Sequence, residues 1–143
     1  LHPVAHSFPT RRSSDLPVVL VPDASVREAA TAMREHDVGA VLVGDPEGLL
    51  GLVTERDIVV RAVAEGHSVE GTRLSQLCTQ LVHTCAPEDD LVAVTRTMRD
   101  NAIRRLPVIE GTRAVGIVSL GDLAVMLDPD SLLADISAAP PSA

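Results

Sequence analysis

Two short stretches of this chain place a hydroxyl side chain three residues ahead of a carboxylate, where an apolar run gives way to a helical pattern: Thr54 with Asp57, and Ser119 with Asp122. At a helix start the carboxylate can accept both protons of a cis-diol, while the backbone amides of the first turn offer hydrogen bonds to an anion. A nucleotide carries both groups. The same residues also read as a purely structural device, an N-cap followed by an acidic first turn that complements the helix dipole. A single copy favours the structural reading; two copies at one spacing favour a ligand site.

The elements that must position these residues are duplicated. Pro22-Asp23 answers Pro87-Glu88, Val26 answers Leu91, Met33 answers Met98, and the stretch Gly51 to Asp57 answers Gly116 to Asp122, all at a separation of 65 residues. A long period present only twice implies a duplicated supersecondary unit rather than a solenoid. Function is expected where the copies meet. Val18 to Val21 reads as a short strand. Ser25-Val26-Arg27-Glu28 is a capping box opening a helix to about His36, with Val26, Ala29, Ala30 and Met33 on one face. Gly39–Val43 and Leu49–Val53 read as a hairpin turned through Gly44 to Gly48. The second copy has a helix from about Asp90 to Asp100, a strand from Arg105 to Ile109 and a turn at Glu110-Gly111-Thr112. Gly66–Gly71 reads as a linker, Thr72–Leu77 as a brief helix and Asp128 to about Ile136 as a final helix before a frayed tail.

Each copy thus runs strand, helix, strand, turn, Gly-led strand, then T/S-x-x-D opening a second helix, and this resembles the cystathionine β-synthase (CBS) domain. Ile103 to Glu110 followed by Gly111 to Asp122 carries the fuller signature; Met33 to Ala40, Gly51 to Val60 and Ile103 to Ile109 look most like stand-alone CBS-pair proteins of the hypoxic response protein type. The resemblance covers roughly residues 17 to 136. It implies an α/β fold, a tandem CBS-domain pair of two β-α-β-β-α repeats with pseudo-twofold symmetry: repeat 1 over 17–65, linker and short helix over 66–80, repeat 2 over 81–128, and a C-terminal helix and tail over 129–143. It also implies that Asp57 and Asp122 accept hydrogen bonds from ribose hydroxyls and that Thr54 and Ser119 contact phosphate.

Within this resemblance the copies are unequal. Arg104 and Arg105 stand before Leu106-Pro107-Val108, where the family uses basic residues to reach phosphates; the first copy has Gly39 and Ala40 there, and Leu42 in place of Pro107. Adjacent strand residues point to opposite faces, so at most one of the two arginines faces each cleft. The other reading of the pair is surface arginines matched to an acidic protein.

Composition excludes several classes. The chain has 143 residues, a net charge of −8, no Lys, and Phe8 as its only aromatic. Without a basic stripe or stacking platforms it makes a poor nucleic-acid binder. The core must be built from Val, Leu, Ala, Ile and Met. No apolar run reaches the ~18 residues that cross a bilayer, and a cytoplasmic location follows as an expectation. The spacing of Cys78, His83 and Cys85 is not a recognised zinc pattern, nor do two cysteines form a disulfide framework. No Ser-His-Asp, Cys-His or paired-carboxylate arrangement and no P-loop is present, so catalysis and a required cofactor are not indicated. The helices after each T/S-x-x-D, with Ile58, Val59, Val60 and Val63 in one and Leu120, Leu123, Val125 and Leu127 in the other, lack a polar face, which implies covering by a second copy.

The expected function is therefore a regulatory, non-catalytic module that binds AMP, ATP or another adenosyl compound as a homodimer and passes occupancy to a partner through dimer geometry; two other readings stay open. One is a ligand-independent dimeric stress or structural protein whose motifs act only as caps. The other is a regulatory fragment of a larger enzyme or transporter. Residues His6 to Leu16 match the translation of a common sequencing adapter, and the chain begins with Leu rather than Met. Residues 1–16 are accordingly set aside as a disordered artefact, the alternative being a basic, serine-rich tail, and the authentic start is expected to lie upstream. Deleting residues 1–16 should leave the Tm nearly unchanged; a loss of several degrees in a thermal melt, corresponding to about 1 kcal/mol or more, would assign them a structural role.

Overall fold

The computed structural model describes residues 16–81 and 83–127. The expected disordered N-terminal segment, apart from Leu16, and the expected final helix and tail lie outside the described residues. Of the described residues, 17–81 fall in one compact unit and 83–127 in another. Both are mixed α/β.

In the first unit, β1 (Val19–Leu20), α1 (Val26–His36), β2 (Ala40–Asp45) and β3 (Gly48–Thr54) are followed by α2 (Glu55–Asp57), a π-helical segment (Ile58–Val63), α3 (Leu74–Leu77) and β4 (Thr79–Gln80). The sheet runs β1-β2-β3-β4, with β1 and β2 parallel across α1 and the remaining pairs antiparallel. Helix α1 begins as its sequence dictates. Glu28 N–H donates to Ser25 Oγ at 3.1 Å and Ser25 N–H to Glu28 Oε2 at 2.6 Å. It buries Val26, Ala29, Ala32 and Met33. Ala30, expected inside, is exposed, because the buried stripe follows the three-residue steps 26, 29, 32 and not the four-residue step from Val26. The β2–β3 turn closes through Asp45 Oδ1, which accepts from Glu47 N–H at 2.8 Å and Gly48 N–H at 3.2 Å, a local bond that aspartate readily makes.

The stretch read as a linker is fastened to this unit. Val26 N–H donates to Thr72 O at 3.0 Å and Arg27 N–H to Val69 O at 2.9 Å. Together with the Ser25 box, these bonds satisfy the amides that a helix start otherwise leaves without partners. Arg27 and Glu70 add an exposed ion pair, which is worth little by itself.

The second unit repeats the plan with α4 (Leu91–Asp100), β5 (Arg105–Glu110), β6 (Arg113–Ser119) and α5 (Leu120–Leu127). Its hairpin register, from Arg105↔Ser119 to Glu110↔Arg113 with a shift after Val108, copies Ala40↔Thr54 to Asp45↔Gly48 with a shift after Val43. Both first helices end on a left-handed residue, Asp37 with φ 51 and Ala102 with φ 53. Cys85 takes the place of β1: its N–H donates to Pro107 O at 2.9 Å, and Ile109 N–H donates to its carbonyl at 2.7 Å. Leu42 N–H bonds Val18 O at 2.9 Å in the first copy. Pro107 has no N–H to give, so the second copy keeps only a one-residue bridge. Each core is aliphatic: Val26, Val41, Val53 and Leu74 at the centre of one, Leu91, Leu106, Val108 and Val118 of the other.

Gly51 shows how closely the returning chain packs on β3. A Cβ there would sit 2.7 Å from Thr79 O and 2.8 Å from Cys78 Sγ. Gly51→Ala should therefore destabilise the protein by about 1 to 3 kcal/mol, as overpacking does, and lower the Tm by several degrees. An unchanged melt would mean that β4 is not held against β3.

Candidate functional site

Both T/S-x-x-D motifs sit at a strand-to-helix joint, and the two joints have one geometry. Thr54 ends β3; its Oγ1 accepts from Asp57 N–H at 3.1 Å, and its N–H donates to Asp57 Oδ2 at 2.9 Å. Ser119 ends β6; its Oγ accepts from Asp122 N–H at 3.1 Å, and its N–H donates to Asp122 Oδ2 at 3.0 Å. The helix-capping role is thus real in both copies. Among the described residues the second carboxylate oxygen of each aspartate accepts no hydrogen bond, and both aspartates are only partly buried.

The amides at these joints are less free than the sequence suggests. Glu55 N–H donates to Gly39 O at 3.0 Å, and Leu120 N–H to Arg104 O at 3.1 Å. With Asp57 and Asp122 N–H taken by the hydroxyls, two of the first three amides in each helix are satisfied internally. The array open to an anion is correspondingly small, so charge for a phosphate has to come from side chains.

The second copy has that charge. Arg105 is the direct cross-strand partner of Ser119, whereas Ala40 is the partner of Thr54. Directly opposed residues in an antiparallel pair project from the same face, which puts the Arg105 side chain on the side of Ser119. Arg104 precedes the strand and is exposed, with its carbonyl engaged by Leu120. Neither arginine forms an ion pair among the described residues. Pro107 lies two residues on from Arg105, hence on the same face, and is fully buried.

Other residues near the first joint gave no local signal. The Cys78 thiol is pushed up chiefly by burial, and the opposing charges of Arg61 and Asp57 both reach it. Arg61 Nη1 donates to Leu77 O at 3.0 Å. Cys78 stands 21 positions after Asp57 in the sequence, too far for spacing to reveal that proximity. Burial drives the Cys85 thiol up to about 12, which disfavours the thiolate that metals bind. No group of three or more His, Cys, Asp or Glu able to hold a metal occurs among the described residues. None of the described helices is long and apolar enough to cross a membrane.

The apolar helix after the first motif is only half covered. Ile58 and Ala62 are buried, while Val59, Val60 and Val63 are exposed, as is Leu120 at the start of α5. The side chains of Val125 and Leu127 lie outside the described ones.

Comparison with known proteins agrees with this duplicated architecture. The chain is 38% identical over 104 residues to the CBS domain-containing protein YhcV of Bacillus subtilis, covering 73% of this chain and 74% of that protein. It is 32% identical over 111 residues to hypoxic response protein 1 of Mycobacterium tuberculosis, covering 77% and 78% of the two chains. A crystal structure of hypoxic response protein I with two coordinated zinc ions superposes with a TM-score of 0.69 at 28% identity, over 85% of this chain and 96% of that one. A hexameric CBS-CP12 protein from bloom-forming cyanobacteria gives a TM-score of 0.73 at 26% identity, over 90% and 72%. The family model described as CBS domain matches residues 14–63 and again 74–135, and the chain belongs to the CBS domain family as a tandem CBS pair.

Proposed function

We propose that this CBS pair is a non-catalytic, cytoplasmic regulatory module that binds an adenine nucleotide or related adenosyl ligand and passes occupancy on through an assembly of identical copies. The observation that carries the reading is the repeated joint: both copies hold an aspartate by one oxygen and leave the other open, at the position where the family reads ribose. The adenine preference rests on the family resemblance. Arg105, opposite Ser119, supports phosphate recognition by the second copy; the first copy, with Ala40, suits a ligand portion without phosphate. Assembly is supported by the exposed valines after Asp57 and by the hexamer of the CBS-CP12 relative.

The capping bonds favour one competing reading, a dimeric structural or stress protein in which Thr54, Asp57, Ser119 and Asp122 only fasten helices to strands. Calorimetric titration with AMP, ATP, S-adenosylmethionine and NAD separates the two. Asp122→Asn keeps an acceptor for Ser119 N–H but removes the charge that a ribose hydroxyl would meet. It should cost about 1.5 to 3 kcal/mol of binding, or about 10- to 150-fold in affinity, with little change in Tm. Asp57→Asn should cost less, and Arg105→Ala should weaken AMP and ATP more than adenosine. Equal affinities across parent and variants would leave the aspartates as caps alone.

The assembly has its own check. Val60→Glu places a charge on the exposed apolar face and should shift sedimentation from dimer towards monomer at micromolar concentration; a parent chain that is already monomeric there would refute the assembly.

A further inference from the structure

The first unit has a second concave site, which does not include Thr54 or Asp57. A cavity of about 470 Å³ opens between the segment that follows Asp57, with Arg61 and Glu65, and the returning chain, with His67, Thr72 and Gln76. Small-molecule sites run from about 300 to 1,000 Å³. The backbone around the cavity is fixed. In the wide turns after Asp57, Ala64 N–H donates to Val59 O at 2.9 Å, and just beyond them His67 N–H donates to Ala62 O at 3.0 Å. Across from them, Thr72 N–H donates to Ser68 O and Gln76 N–H to Arg73 O, both at 3.0 Å.

Two of the lining side chains are also tied in place. Arg61 Nη1 donates to Leu77 O at 3.0 Å, which uses one of the five N–H groups of the guanidinium. Gln76 Oε1 accepts from Arg73 N–H at 2.9 Å, so Nε2 stays available as a donor. Among the described residues the Glu65 carboxylate, the His67 imidazole and the Thr72 hydroxyl make no hydrogen bond or ion pair. Arg61 and Glu65 stand four residues apart, a spacing at which opposite charges pair on a helix surface. They do not pair here. The guanidinium is held by Leu77 O instead, and a cation and an anion line one cavity unmatched.

We propose that this cavity binds a small zwitterion of the α-amino-acid class, with its carboxylate on Arg61 and its ammonium on Glu65. A simple anion would be drawn to Arg61 and repelled by Glu65, and a simple amine the reverse; a zwitterion satisfies both. The planar guanidinium suits a carboxylate, and Gln76 Nε2 and the Thr72 hydroxyl add donors. Leu77, 4% exposed, and Val60, 42% exposed, give an aliphatic side chain an apolar surface within the same cavity. This polar set is not part of the duplicated plan: 65 residues on, Arg61 answers to Met126, His67 to Leu132 and Gln76 to Pro141. The shared scaffold therefore does not require it. Exposed charge contacts are individually weak, so the affinity expected is in the millimolar range.

The test is a chemical-shift titration of the isotope-labelled full chain with L-leucine. Isocaproate, which lacks the ammonium, and isoamylamine, which lacks the carboxylate, are titrated in parallel. L-leucine should shift the Gln76 side-chain amide and the His67 and Leu77 backbone amides on one saturating curve, with each half-ligand about tenfold weaker. Glu65→Gln breaks no bond of the fold; it should weaken L-leucine about tenfold and leave isocaproate no weaker. Arg61→Gln should weaken both. Adenosine at saturation should leave the L-leucine affinity unchanged. The absence of a saturable shift, isocaproate binding as tightly as L-leucine, or undiminished L-leucine binding by Glu65→Gln would each overturn the zwitterion site. Displacement of L-leucine by adenosine would overturn its separateness from the joint at Thr54 and Asp57.

Discussion

Much of this fold hangs on the joint by which a strand hands over to a helix. At Thr54 and again at Ser119, the last strand residue and the aspartate three positions on exchange two hydrogen bonds, and the next amide is tied to the carbonyl that precedes the neighbouring strand. Because a carboxylate takes part, one of these bonds is charge-assisted and stronger than a neutral one. The joint sets the direction in which each helix leaves the sheet, and so decides that Ile58 and Leu123 reach their cores. A capping role does not preclude recognition. A carboxylate has about four acceptor sites, and the joint uses one oxygen.

The copies share a backbone plan and differ in what hangs on it. Proline at 107 removes the donor that Leu42 gives to Val18, and the parallel strand shrinks to the Cys85 bridge. Arginine at 105 stands where alanine stands at 40. A β-branched run follows one joint and a leucine-rich run the other. Duplication thus supplied two equivalent frames, and single residues made them chemically unequal.

Packing without aromatic side chains constrains the rest. The first core is filled by valine, alanine, leucine and methionine drawn from strands, helices and the returning segment alike, and Leu74 and Leu77 belong to it as fully as Val41 or Val53. That segment approaches β3 so closely that Gly51 has no room for a methyl group beneath Cys78 and Thr79. What looked like a connector is therefore part of the wall of the first unit, pinned to α1 by backbone bonds.

The sequence by itself determined the features whose causes are local. The capping boxes at Ser25, Thr54 and Ser119 rest on bonds between residues three apart, the hairpins on turn residues, and the duplication on a register kept without a gap. Each of these can be read from neighbouring letters, and the CBS family follows from them. Only the tertiary structure decided that Arg105 stands across from Ser119, that Cys78 comes within reach of the Asp57 and Arg61 charges, that Ala32 rather than Ala30 turns inward, and that the residues after Gly66 close over the α1 amides. It also decided that the helix after Asp57 takes wide turns while its counterpart after Asp122 does not. These depend on strand register, on which stripe of a helix meets a particular sheet, and on competition between nearly equal backbone hydrogen-bond patterns, none of which is fixed until distant parts of the chain have packed.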